Sequence, residues 1–128
     1  MIYDGDNNWD FSSDRILKTN IENEIGILDR IMKLNVKNYH LNSSDKTRNK
    51  EIGFIAQDVE PLFPSLVTLM PHNKYGTVKG LGYTTFGVLA MGGIKELKTE
   101  KDAEITSLKA EISELKKQIE ELKQIIQK

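Results

Sequence analysis

Ser13 and Lys18 are the residues whose types and spacing could do covalent chemistry. They bracket the stretch Ser13-Asp14-Arg15-Ile16-Leu17-Lys18, with a hydroxyl and an amine five residues apart. A serine hydroxyl becomes a nucleophile when a neighbouring base takes its proton. A lysine serves as that base once burial or a nearby cation weakens its hold on its own proton. Arg15 could supply the cation, and Asp14 would work against it. Attack by Ser13 on the carbonyl of Ser12 would turn the bond before Ser13 into an ester, which water then splits. The same residues also read as a helix start, because Ser and Asp are favoured caps, and spacing alone favours that plainer reading.

Other polar groups point to structure. His40 and His72 are too few for a metal site and lack ligands at metal spacing, so no metal is expected. Lys46, Arg48 and Lys50 could meet a phosphate, but no Gly-rich loop accompanies them, and a solvated hairpin tip accounts for them better. Gln57, Asp58 and Glu60 fit the polar face of a short helix; Met32, Met70 and Met91 fit core filling.

The elements that must position Ser13 and Lys18 follow from periodicity. Residues 1–12 are rich in Asp, Asn and Gly and read as a leader. Ile21, Ile25, Leu28, Ile31 and Met32 recur at three- and four-residue steps. They predict an amphipathic helix over 20–34 with Thr19 or Asn20 as cap. Strands are predicted at 36–41 and 52–56, joined as a hairpin through a polar turn, with a short helix at 57–63 closed by Pro64. A third strand is expected at 66–70, a loop at 71–76, and a further short strand around 77–83. Thr84 or Thr85 is expected to cap a helix to the C-terminus, with Gly87, Gly92 and Gly93 inside it for close packing or a bend.

From Ile105 the pattern becomes strict. Ile105, Ile112, Ile119 and Ile126 take heptad position a, and Leu108, Leu115 and Leu122 take position d. So narrow a seam needs another helix. Lys98 and Lys101 occupy a and d sites upstream, so a stutter is expected near 97–105. Glu104 and Glu111 at g would face Lys109 and Lys116 at e on a parallel neighbour, whereas an antiparallel one would oppose like charges. Ile at a with Leu at d leans by itself towards two strands.

The 128 residues carry 18 basic and 19 acidic side chains, for a net charge of −1, which leaves no electrostatic footprint for nucleic acid or an anionic membrane. No apolar run reaches membrane-spanning length. Cysteine is absent, which excludes disulfides and thiolate zinc sites. The core-forming part is only about residues 16–94, a length at which a lone core is marginal.

Three blocks together resemble a known family. They are Ser13-Asp14-Arg15-x-Leu17-Lys18-x-Asn20-Ile21, then Ile52-Gly53-Phe54-Ile55-Ala56-Gln57-Asp58-Val59-Glu60-x-x-Phe63-Pro64, then Tyr83 leading to Ile94-Lys95-Glu96-Leu97. The resemblance is to the intramolecular chaperone domain that ends phage tailspikes, endosialidases and neck or tail appendages. It implies a homotrimer that guides an upstream fibre of the same polypeptide to fold, then removes itself with a Ser-Lys dyad. By motif position the dyad is Ser13 and Lys18, the cut lies between Ser12 and Ser13, and residues 1–12 are the fibre's end. The resemblance also implies a parallel three-stranded coil, action in the host cytoplasm during phage assembly, and release from the mature appendage. Some members couple release to nucleotide; nothing in this sequence supports that, and no cofactor is required. Gly82 and the Gly92-Gly93 pair depart from the family's usual residues and bear on helix packing.

The expected architecture is therefore α+β: a leader at 1–12, a mixed helix and short-strand domain at 13–94, and a coiled-coil helix at 95–128. The expected function is a self-removing chaperone. The competing reading is a non-catalytic homo-oligomerisation module with Ser13 as a cap; a third is an adaptor that binds partner helices through 84–128.

Overall fold

A computed structural model describes residues 12–128. The expected leader therefore lies outside the described residues except for Ser12, which is exposed. The described architecture is α+β, with two antiparallel two-stranded sheets, two short helices and one long C-terminal helix.

β1 (Lys37–Tyr39) pairs with β2 (Glu51–Gly53), Asn38 lying opposite Ile52. The expected hairpin forms with shorter pairing than 36–41 and 52–56. α2 (Ala56–Val59) is likewise shorter than the helix expected at 57–63. Pro64, which lacks an amide hydrogen, opens a 3-10 turn at Pro64–Leu66 instead. β3 (Val67–His72) pairs with β4 (Gly76–Leu81), Val67 opposite Leu81 and His72 opposite Gly76. Pro71 and His72, expected in a loop, thus belong to a strand.

The largest departure lies upstream. The helix expected over 20–34 shrinks to α1 (Ile27–Ile31). Asn20 and Gly26 take left-handed backbone, with φ of 51° and 65°, which a right-handed helix cannot contain. Ile21 and Ile25, whose spacing imitates a helical stripe, are 54% and 78% exposed. Thr19 and Asn20 therefore cap nothing; the N-cap position is Gly26, which has no side chain to hold the first amides. Glu96 does that from the far helix: its Oε1 accepts the Ile27 amide at 3.1 Å and its Oε2 the Leu28 amide at 2.6 Å.

α3 (Thr84–Ile126) is 43 residues long, about 64 Å at the usual helical rise. Tyr83 stands at its N-cap, so Thr84 and Thr85 lie inside the first turn. α1 crosses α3 at the paired glycines. A Cβ on Gly92 would sit 2.5 Å from Ile27 Cδ1, and one on Gly93 would sit 2.9 Å from Ile31 Cδ1. Close approach is what these two residues provide, at a helix-propensity cost of about 1 kcal/mol each. The stutter expected near 97–105 does not interrupt the helix, which runs unbroken through it.

The core is small. Val59, Phe63 and Leu66 form its buried centre, with Ile31, Leu34, Phe54, Leu81, Phe86 and Leu89 around them. Ile27 is the remaining buried hydrophobic side chain among the described residues. An apolar groove of about 280 Å³ stays open between Ile31, Val36, Phe54, Phe63, Phe86 and Leu89. Burial this slight points to stabilising surface supplied from outside the chain.

Two tyrosines join the first hairpin to α3. Tyr83 Oη accepts the Phe54 amide at 2.9 Å, and the Phe54 ring stacks on Phe86 at 5.1 Å. Gly53 makes room for this: a Cβ there would lie 2.5 Å from the Tyr83 hydroxyl and 2.9 Å from that of Tyr39. Gly53→Ala is expected to destabilise the fold by about 1–3 kcal/mol through overpacking, read as a lower denaturant midpoint at unchanged slope.

Candidate active site

Ser13 and Lys18 are brought together by one 3-10 turn, Arg15–Leu17. The turn forms because Asp14 caps it, its Oδ1 accepting the Ile16 amide at 2.9 Å. Backbone bonds from Leu17 to Asp14 and from Lys18 to Arg15, both 3.1 Å, close it. Lys18 then returns to extended backbone. Its Nζ donates to Ser13 Oγ at 2.6 Å and to the Ser13 carbonyl at 3.0 Å. The capping role thus falls to Asp14, and the Ser13 hydroxyl is left for the amine. Arg15 heads the same turn, so a second cation lies on the element that holds the pair.

The pair is open to water. Every residue from Ser12 to Gly26 is exposed, including Ile16 at 86% and Leu17 at 67%. A lysine that must accept a proton has to be withdrawn from solvent, and the described residues supply no cover.

Arg30 fastens this arm to the core. Its guanidinium pairs with Glu24, donates to the carbonyls of Ile25 at 2.9 Å and Gly26 at 3.1 Å, and reaches Leu62 O at 3.3 Å. It also lies 4.7 Å over the Phe63 ring. Arg30 does not emerge from the sequence reading, and Glu96 enters it only within the block Ile94-Lys95-Glu96-Leu97, with no role attached. The one signal in the chain is Gly26 directly before an apolar run, a helix start with no capping side chain of its own.

Hydrogen bonds from the Leu28 amide, then from the Ile27 amide, hold the Glu96 carboxyl below its ordinary value of 4.5. A carboxyl that titrates lower when folded stabilises the fold fully above the ordinary carboxylate range. That stabilisation is lost as pH falls through the lowered folded value. Acidification is therefore expected to free α1 from α3. Hydrogen exchange at Ile27 and Leu28 checks this: protection falls on acidification in the wild type, and Glu96→Ala lacks it already at neutral pH.

The other polar candidates are occupied structurally. His40 Nε2 lies 2.9 Å from the Arg48 carbonyl. His72 Nδ1 accepts the amides of Lys74 and Tyr75 at 3.2 and 3.3 Å, and its ring stacks on Tyr75. Lys46 donates to the Leu41 carbonyl at 2.5 Å, Lys50 reaches Asn38 at 3.4 Å, and Arg48 is exposed. Gln57 and Asp58 are exposed on α2, and Glu60 pairs with Lys79. No three His, Asp or Glu side chains among the described residues gather where they could hold a metal. No described helix is long and apolar enough to cross a membrane.

No curated protein matches this sequence. Residues 13–68 match the family model described as chaperone of endosialidase. The match begins at Ser13, takes in the Ser13–Lys18 turn, α1, Arg30 and the first hairpin, and ends two residues into β3. Over residues 13–68 this chain is thus similar to the chaperone of endosialidase family, a similarity that supports an intramolecular chaperone role.

Proposed function

We propose that this chain assembles as a parallel homotrimer through α3, helps a phage fibre upstream in the same polypeptide to fold, and then cuts itself off between Ser12 and Ser13. The observation that carries this reading is the 2.6 Å contact from Lys18 Nζ to Ser13 Oγ within the family segment. Ser13 Oγ bonds to the Ser12 carbonyl carbon as its proton passes to Lys18 Nζ. The bond from that carbon to the Ser13 nitrogen breaks, and the nitrogen takes the proton from Lys18. Water then adds to the ester, leaving Ser12 as a carboxylate and restoring the Ser13 hydroxyl. The reaction turns over once per chain and draws on no cofactor.

Assembly supplies the cover that the described residues lack. Ile105, Leu108, Ile112, Leu115, Ile119 and Leu122 are each roughly half exposed, and Ile126 is 81% exposed. Packing them against neighbouring copies brings the heads together and gives Ile16 and Leu17 a surface that can cover the dyad. Cleavage then waits for a correctly assembled head, and the domain does its work in the host cytoplasm before it leaves the mature appendage.

The exposure of the dyad favours one second reading, a homo-oligomerisation module that never cuts. Expression behind an upstream fibre separates the two. Self-removal yields a trimeric fibre ending at Ser12 and a fragment beginning at Ser13, read by intact mass. A trimeric fibre still joined to the whole domain supports the non-catalytic module.

A further inference from the structure

The seam of α3 carries one heptad of a different kind. Counting back by sevens from Ile112 gives Ile105, Lys98 and Met91; from Leu115 it gives Leu108, Lys101 and Ile94. The helix is unbroken across all of these, so the count is a physical register. Met91 and Ile94 are 70% and 65% exposed. The α1 contacts fall on Gly92, Gly93 and Glu96, so that helix leaves the stripe clear. The apolar stripe therefore extends up to Met91, with Lys98 and Lys101 set into it. Both lysines are already paired along the helix, Lys98 with Asp102 and Lys101 with Glu104. Asp102 and Glu104 occupy the e and g positions that flank the seam.

We propose that the heptad Lys98–Glu104 is an ionic layer that fixes the register in which copies of this chain align, resting on the reading that α3 is the assembly seam. The unit Ile-x-x-Leu-Lys-x-x stands at 105, 112 and 119, so these heptads are nearly interchangeable. A slip of one heptad, about 10.5 Å, still sets Ile and Leu layers on Ile and Leu layers over most of the coil. The ionic layer removes that ambiguity. In a parallel in-register assembly each lysine meets carboxylates at its own height, its own and its neighbour's. After a slip it meets Met91 and Ile94 or Ile105 and Leu108, which offer an ammonium nothing. The layer weakens the coil and makes the alignment unique, and unique alignment is what keeps the heads, with their Ser13–Lys18 turns, level.

The native chain has no cysteine, so single thiols report register directly. Full-length chains bearing Leu108→Cys and Leu115→Cys are mixed in a glutathione buffer and their disulfides mapped. In the otherwise native background, 108–108 and 115–115 links are expected, with 108–115 links at background. Adding Lys98→Ile and Lys101→Leu is expected to raise the thermal midpoint and bring 108–115 links to a fraction comparable with the in-register ones. If the doubly substituted chains still form only in-register links, or the native background already forms 108–115 links, the layer does not set register. No links in either background overturns the seam itself.

Discussion

Ser13→Ala is expected to leave the polypeptide whole: no fragment beginning at Ser13 should appear, a loss of at least about 10³-fold, because the attacking oxygen is gone. Lys18→Ala is expected to slow cleavage by about 10²–10⁴-fold, the usual worth of a positioned proton acceptor. Lys18→Arg is the sharper variant. It keeps the positive charge and hydrogen-bonding reach, but a guanidinium holds its proton at any accessible pH. If Lys18 merely orients Ser13 as a cation, Lys18→Arg cuts nearly as fast as wild type. If it is the base, the arginine variant stays whole. Intact mass against time separates the two outcomes. Unchanged trimerisation in all three variants shows that chemistry was removed and assembly was not.

Ile112→Lys combined with Ile119→Lys is expected to abolish assembly and, with it, cleavage. Each buried isoleucine side chain contributes about 1.5–3 kcal/mol. Two per chain amount to about 3–6 kcal/mol, so with three substituted chains the trimer assembly constant falls by about 10⁶–10¹³-fold, before the cost of bringing ammonium groups into the seam. Both positions lie far along α3 from α1 and the small core, so the head keeps its own packing. Light scattering is expected to give a monomer, and the chain is expected to stay whole although Ser13 and Lys18 are untouched. A monomer that still cleaved at the wild-type rate would mean that the exposed turn is competent by itself.

What the sequence shows of this fold depends on whether a pattern and its cause lie in the same stretch of chain. The long C-terminal helix is legible because Ile and Leu recur at heptad spacing along it. The first hairpin is legible because a polar turn separates two apolar runs. The Ser13–Lys18 pair is legible because a single local turn closes it, and Asp14 in the same stretch does the capping that a sequence reading could give to Ser13. The helix expected over 20–34 misleads for the opposite reason. Ile21, Ile25 and Met32 have helical spacing yet are exposed, so their spacing does not record burial within this chain. The backbone there is set by left-handed conformations at Asn20 and Gly26. α1 is capped by Glu96 and the arm held by Arg30, both through contacts that local periodicity cannot show. Gly92 and Gly93 read from the sequence as room for close packing or a bend, and the structure shows the close packing, with α1 as the partner that the sequence does not name.

The most direct test of assembly-gated self-removal is the single-turnover cleavage rate of the fibre-linked wild type, followed by intact mass while protein concentration is varied through the assembly midpoint. The rate is expected to rise steeply with concentration, level off once the trimer is full, and track the trimer fraction measured in the same samples. A rate that is the same in dilute monomer and in full trimer would contradict it, and would place everything the reaction needs on the single exposed turn from Ser13 to Lys18.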